Sequence, residues 1–114
     1  MIREAIDYVA DQLEAAGVPT FTDPATFFPD PVAVLVGVPS LVERGLRAYT
    51  VSVPVHVVCA EALDADKRDL MFDTAMACAV ALDVPDFDLD GHFTTMNQTE
   101  LPGYVLSTLV TLEA

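Results

Sequence analysis

The chain is short of positive charge. Only five of its 114 residues are lysine or arginine, whereas eighteen are aspartate or glutamate, which gives a formal net charge of -13 at pH 7. A negative field of this size repels phosphate groups, so it argues against binding to DNA or RNA driven by counterion release. It argues equally against attachment to an anionic membrane surface.

Residues that commonly support catalysis, metal binding or disulfide bonding are also scarce: the chain has two cysteines, two histidines and five glycines. Cys59 and Cys78 lie in apolar segments, and we expect both to be reduced and buried. The sequence contains no Gly-x-Ser-x-Gly nucleophile elbow and no glycine-rich phosphate loop that opens a helix. It therefore predicts neither an enzyme nor a protein that holds a cofactor.

Long apolar runs are missing as well. The longest uncharged stretch within a helical pattern is residues 74–82, far short of the ~20 residues that cross a bilayer. Arg3, Glu4 and Asp7 interrupt the apolar residues of the N-terminus, unlike a secretory signal, so we expect synthesis in the cytosol and no membrane association. The 53% of apolar residues suffices for one core. We predict a single domain over residues 1–114.

Two segments predict helices. Residues 2–16 place apolar side chains at helical spacing, and Gly17 then predicts the end of the helix. A second helix is predicted to begin at Asp64 or Asp66 and to end near Leu82. Its later part is apolar nearly all round, so we expect cover on both sides, from the sheet and from either the first helix or another subunit.

Two apolar segments in the first half of the chain predict strands. Residues 32–38 are apolar on both faces, as in a central strand that is covered on both sides. Residues 49–59 alternate in polarity, which predicts a long antiparallel strand. Pro54 lies within it and cannot donate a ladder hydrogen bond, so we expect a bulge or a free edge there, where a neighbouring subunit could pair.

The second half of the chain predicts two further strands, residues 93–99 and 104–113, joined by a turn at Pro102 and Gly103. Residues 39–47 are charged and contain a glycine, which indicates an exposed loop or hairpin. The whole pattern predicts an α+β domain, with two helices packed on a mixed or antiparallel sheet of about four to five strands.

Two short patterns are compatible with metal binding. The segment from Asp86 to Gly91 places aspartates at alternate positions before a glycine, as the first half of a calcium loop does. Asn97 stands where that loop needs glutamate, so we favour an acidic connector and keep a small cytosolic metal- or ligand-binding domain as an alternative. The aspartates concerned are Asp86, Asp88 and Asp90. His56 and Cys59 have a zinc-like spacing but point to opposite faces of an alternating strand, so we predict no metal site.

Two surface features are candidates for contact with other molecules. The first is an acidic stripe on the first helix, which we interpret either as a solvated face or as a wall past which DNA moves without binding. The stripe consists of Glu4, Asp7, Asp11 and Glu14. The second is the 39–47 segment, whose apolar residues either fold inward or meet a partner. Its candidate interface residues are Leu41, Val42, Arg44, Leu46 and Arg47.

The order of these elements and three apolar signatures resemble a known family. The signatures are residues 31–41 (PVAVLVGVPSL), 49–58 (YTVSVPVHVV) and 101–110 (LPGYVLSTLV), set between an acidic first helix and an alanine-rich second one. In this pattern the chain resembles the tail terminator, or tail completion, proteins of long-tailed bacteriophages, especially those that infect actinobacteria. The resemblance extends over nearly the whole chain.

The resemblance implies a structural virion protein without enzymatic activity. Such a protein forms a ring, usually of six subunits, that caps the tail tube, ends its polymerisation and joins the tail to the head connector, while DNA passes through the lumen unread. The implied partners are further copies of the chain, the tail tube protein and a connector or neck protein. The implied location is the head-proximal end of the tail, after assembly in the host cytoplasm. Another phage neck or head-closure protein is the nearest alternative.

Overall fold

The computed structural model describes residues 2–29, 31–60, 65–94 and 100–113, with the side chains of residues 89–94 and 100 left aside. It contains two helices and one mixed sheet, which confirms the predicted α+β class. The elements in chain order are α1 (Ile2–Ala15), β1 (Thr20–Phe21), β2 (Val32–Val36), β3 (Ser40–Arg44), β4 (Ala48–Cys59), α2 (Ala65–Leu82), β5 (Asp88–Thr94) and β6 (Glu100–Glu113). Asp64, one of the two predicted caps of α2, lies outside the described residues, as does most of the 93–99 strand.

The sheet is built around β4, the long alternating strand that the sequence predicts. Its strands follow the order β1-β2-β4-β6-β5, and β3 pairs with β4 on the same side as β2. Among the described strands, β1 and β2 alone pair in parallel, and the other pairs are antiparallel. The 39–47 segment is therefore a hairpin, one of the two forms that the sequence allows.

Pro54 lies inside the sheet. Of the two alternatives that the sequence allows at this residue, the free edge is therefore wrong, and the local break in regular pairing that a bulge causes is correct. The N–H of Gly37 donates to the Pro54 carbonyl at 2.7 Å, but Pro54 has no N–H to return a bond. At this point β2 ends and β3 begins. Ser40 follows Val36 by four positions, whereas their partners on β4, Ser52 and Val55, are three positions apart, so the register gains one residue.

Both helices pack on one face of the sheet. The alternate β4 residues Val51, Val53, Val55, Val57 and Cys59 form one buried core with Val9 and Leu13 of α1 and with Met71 and Cys78 of α2. Within residues 32–38, Val34 and Val36 are buried toward the helices and Leu35 is buried on the opposite face, so the centre of this strand is covered on both sides, as the sequence predicts. The opposite side of the sheet, called the open face below, carries no helix. It presents Thr50, Ser52, Pro54 and His56 of β4 and Ser107, Leu109 and Thr111 of β6.

Both helices end in the same way, on a residue with positive φ. Gly17 has φ of 83° after α1, and the N–H of Val18 donates to the carbonyl of Leu13 at 2.9 Å. Asp83 has φ of 54° after α2, and the N–H of Val84 donates to the carbonyl of Ala79 at 2.9 Å. This is the Schellman arrangement, in which a left-handed residue lets the chain satisfy the last carbonyls of the helix.

These two helix ends give a matched prediction. Asp83→Gly should raise the free energy of unfolding by about 1 kcal/mol, because it removes the Cβ from a left-handed residue and a negative charge from a helix C-terminus. Gly17→Ala should lower it by about 1 kcal/mol for the same steric reason, since no atom lies within 4 Å of the added methyl group. Chemical unfolding curves measure both changes. Equal stability of Asp83→Gly and the parent protein would contradict the strain argument.

The predicted turn at Pro102 and Gly103 is wrong, because both residues lie inside β6. A Cβ on Gly103 would stand 2.6 Å from the carbonyl oxygen of Val57, so glycine is needed here for the close approach of β4. Pro102 fits because it lies opposite the register shift between Asp90 and Phe93 of β5 and just before pairing with β4 begins. Proline and glycine are common both in turns and where two strands approach closely, and this explains why the sequence predicted a turn here.

Candidate interaction surfaces

The hairpin of β3 and β4 presents apolar side chains to solvent. All five residues of β3 are exposed, and a two-residue turn at Leu46 and Arg47 closes the hairpin through a hydrogen bond from the Gly45 N–H to the Ala48 carbonyl at 2.8 Å. Leu41 is 61% exposed, Val42 56% and Leu46 fully. Of the two interpretations left open by the sequence, inward packing is therefore wrong for these three residues.

The tip of this hairpin combines apolar surface with positive charge. A hollow of about 340 Å³ is lined by Leu41, Arg44, Gly45, Leu46 and Tyr49. Arg44 and Arg47 are both exposed and supply two of the five basic residues of the chain. A surface that exposes leucine and arginine together is typical of protein interfaces, where arginine is enriched and large apolar side chains become buried.

The acidic stripe lies where the sequence places it, on the outer side of α1. Glu4, Asp7, Asp11 and Glu14 are all exposed. Arg3 approaches Asp7 at 4.0 Å, between side chains that are mostly in solvent. An exposed pair of this kind contributes little to stability. The exposed carboxylates contribute to the negative field of the molecule, and their exposure agrees with both interpretations of the stripe.

Sequence reasoning missed a second strand edge. Residues 100–105 of β6 pair with β5 on one side, but residues 106–113 pair only with β4 among the described residues. Their outward edge is called the β6 edge below. Residues 101–112 contain no charged side chain, and this was the available signal, because natural edges are usually protected by charge, proline or a bulge.

Two hollows flank the β6 edge. One, of about 390 Å³, lies toward α1 and is lined by Glu4, Tyr8 and residues 109–112. The other, of about 400 Å³, lies toward the end of α2 and is lined by residues 82–85 and 107–109. Tyr8 and Leu109 are both more than half exposed. The β6 edge therefore combines backbone N–H and C=O groups that pair with no described strand with bordering side chains that are apolar or acidic.

The outward side of α2 is apolar and open to solvent. Phe72, Met76 and Val80 are exposed at four-residue spacing, with Val80 at 76%. The ring of Phe72 contacts Phe87 and Tyr104 edge-on at 5.5 and 5.9 Å, which fixes one end of this side. The sheet and α1 cover the other side of the helix. The sequence predicts that α2 is covered on both sides. Covering its outward side thus needs a contact beyond the described residues of this chain.

The residues with metal-like spacing lie apart. His56 is on the open face, whereas Cys59 is fully buried in the core on the helix side. Asp88 lies in β5, so the segment leading to Gly91 enters a strand and does not form the turn of a calcium loop. Across the described ranges, no group of three or more histidine, cysteine, aspartate or glutamate residues is placed to hold a metal ion.

Both thiols are removed from solvent. Cys59 and Cys78 are free and buried, as the sequence predicts. Burial raises the pKa of the Cys78 thiol to about 11, so this side chain stays protonated near neutral pH. A protonated thiol is a poor nucleophile and a poor metal ligand.

Comparison of the chain with protein-family models, with curated proteins and with solved structures found no significant match. Among the helices of the described ranges, none combines the length and the apolar character needed to cross a membrane. The surfaces that bear on function are the arginine-bearing hairpin, the β6 edge and the apolar side of α2.

Proposed function

We propose that this chain is a structural virion protein that caps the tail tube of a long-tailed bacteriophage as a ring. In this role it ends polymerisation of the tube and joins the tail to the connector of the head. The ring is made of several copies, six in the family that the sequence resembles. DNA passes through its lumen without being bound, and the protein catalyses no reaction.

The observation that carries the proposal is the exposed hairpin. All five β3 residues are in solvent, and the leucine at its tip buries none of its surface within the chain. A hairpin of this kind adds little to the stability of its own domain, because apolar side chains stabilise a fold only when they leave water. Its composition suits contact with other protein subunits.

The charge of the chain supports the same role. A formal net charge of -13 keeps the protein from binding the phosphates of a passing DNA duplex. It also makes free copies repel one another at low salt, which favours assembly on a template such as a tube tip over assembly in solution. Both properties suit a protein that must act only at the end of a finished tube.

The proposal is tested on tail tubes assembled from the tail tube protein of the same phage. Added protein should bind one end of each tube and stop further growth, as seen by negative-stain electron microscopy of tube lengths. Leu46→Asp should lose this activity, because it charges the apolar tip without disturbing any buried contact. Ala25→Asp, in an exposed turn of the loop after β1, is the matched control and should cap like the parent protein.

Tubes that keep growing in the presence of the parent protein would overturn the proposal. Binding to the portal vertex of filled heads, with no binding to tube ends, would instead assign the chain to the head-closure or neck proteins. The two results are separated by incubating the same labelled protein with purified heads and with purified tubes.

A further inference from the structure

The end of the sheet that includes the hairpin has two free edges, on opposite sides. In this region β3 flanks β4 on one side and β6 flanks it on the other. Within the described part of the chain, β3 has no partner besides β4, and residues 106–113 of β6 have none besides β4 either. A three-stranded segment with an open edge on each side can add a strand at both.

We propose that copies of this chain join edge to edge, with β3 of one copy pairing with the β6 edge of the next. The occupant of the β6 edge is thus a second copy of this chain. The inference rests on the proposed function in one respect, because a ring cap requires contact between copies. It names the two surfaces that make this contact.

Strand direction fixes the geometry of this contact. β3 and β6 both run antiparallel to β4, so they run parallel to each other. Rotation about a ring axis from which the strands tilt by about 40°, as in barrels, keeps neighbouring strands running the same way, and the new pair is therefore parallel. Each copy uses two different edges, so the contact is head to tail and repeats until a ring closes. A two-fold dimer through one edge would instead pair its strands antiparallel.

Charge favours the two different edges over either edge with itself. Arg44 lies in the same row of the sheet as Leu112, next to Glu113 at the end of β6. With neighbouring copies at the same height, Arg44 of one copy meets the hollow that Glu4 and Tyr8 border on the next. Pairing β3 with β3 would oppose two hairpins of net positive charge, and pairing β6 with β6 would oppose two acidic borders, so neither contact gains attraction between opposite charges.

The β6 edge also has the features of a surface that must be covered. It is long, and only Glu113 at its end is charged. Exposed edges of this kind lead to uncontrolled pairing unless a partner occupies them. The hairpin offers a partner strand whose exposed Leu41 and Val42 are available to pack beside Leu109 and Val110.

Disulfide trapping between separately purified variants tests the pairing. Ser40 and Leu109 lie in one row of the sheet, both paired with Ser52. Within one chain they are two strand spacings apart, about 9.6 Å, too far for a disulfide, which needs Cα atoms about 4.4 to 6.8 Å apart. A bond between Ser40→Cys and a cysteine on β6 can therefore form only between copies.

Ser40→Cys protein is mixed, at high protein concentration and high salt, with each of three partners: Ser107→Cys, Leu109→Cys and Thr111→Cys. After mild oxidation we expect a covalent dimer with one of the three, and the position that reacts gives the register. Each variant alone should stay monomeric under denaturing electrophoresis. The parent protein is the background control, because both of its native cysteines are buried.

A disulfide in Leu109→Cys alone would show a two-fold contact through β6 and would overturn the inference, as would one in Ser40→Cys alone. The absence of any dimer in all three mixtures would also overturn it. If the protein caps tubes but no disulfide forms in the mixtures, the proposed function stands and the edge-to-edge pairing is excluded. Disulfides without capping would leave the pairing standing and remove the proposed function.

Discussion

Gly103→Ala is expected to lower the free energy of unfolding by about 3 kcal/mol, the upper part of the usual range for overpacking a tight site. The added methyl group would stand 2.6 Å from the carbonyl oxygen of Val57, a distance that requires β4 and β6 to separate. These are the two longest-paired strands of the sheet, and Val57 belongs to the core. The change therefore affects the centre of the fold.

Gly45→Ala is the matched control for this prediction. Its added methyl group meets the carbonyl oxygen of Ala48 at 3.2 Å, in an exposed turn that can adjust at small cost. Guanidinium or urea unfolding followed by circular dichroism gives both free energies. If Gly103→Ala lost no more stability than Gly45→Ala, the two strands would be shown to tolerate separation, and the explanation for a glycine inside β6 would fail.

Charge reversal at the hairpin should have the largest effect on assembly. We expect Arg44→Glu and Arg47→Glu each to weaken association between copies about tenfold, which corresponds to about 1.4 kcal/mol. In the proposed pairing these arginines approach the acidic border of the β6 edge, so each reversal replaces attraction with repulsion. Sedimentation velocity over a range of protein concentrations measures the change.

The double variant Thr22→Asp, Ala25→Asp separates this local effect from the change in net charge. Both residues are exposed in the loop after β1, and the two substitutions together alter the net charge by the same two units as the reversal of one arginine. The general repulsion between copies therefore increases equally in all three variants. If the double variant weakened association as much as Arg47→Glu does, no contact would be located at the hairpin. Unfolding curves should be unchanged for all three variants, because the side chains are in solvent.

The sequence was sufficient where local chemistry decides the structure. Gly17 ends α1 as predicted, because a left-handed residue after a helix is a local requirement that glycine meets. The alternation of residues 49–59 predicted β4 and its buried side, because the period of two is independent of the neighbouring strands. The two buried cysteines followed from the apolar segments that surround them.

The sequence was insufficient where one residue type serves two purposes. Pro54 suggested either a free edge or a bulge, and only the register of three strands shows that it lies opposite the break between β2 and β3. Gly103 suggested a turn, yet its role depends on Val57, far away in the sequence. The placement of both helices on one face could not be predicted either, since apolar residues on both sides of β2 are compatible with either arrangement.

The candidate surfaces were predicted in part. Leu41, Val42 and Leu46 were identified because apolar residues stood among charges in a short loop, and their exposure follows in the structure. The β6 edge was missed because the pairing of a strand is a property of the sheet and leaves only a weak trace in one segment. The signal in the sequence is a segment without charged residues, and buried strands have the same property.

The one-sided helix layer determines the curvature that the proposed ring can have. When a sheet with helices on a single face closes on itself, the helices must occupy the convex side, because the concave side has no room for them. Six copies with three strands each would give eighteen strands, a number that leaves an aqueous channel, roughly 36 Å between backbones at a tilt of about 40°. The channel wall would be the open face, with hydroxyl groups from Thr50, Ser52 and Thr111. The acidic stripe of α1 would then lie on the outer circumference, where it keeps neighbouring particles apart and never meets the DNA.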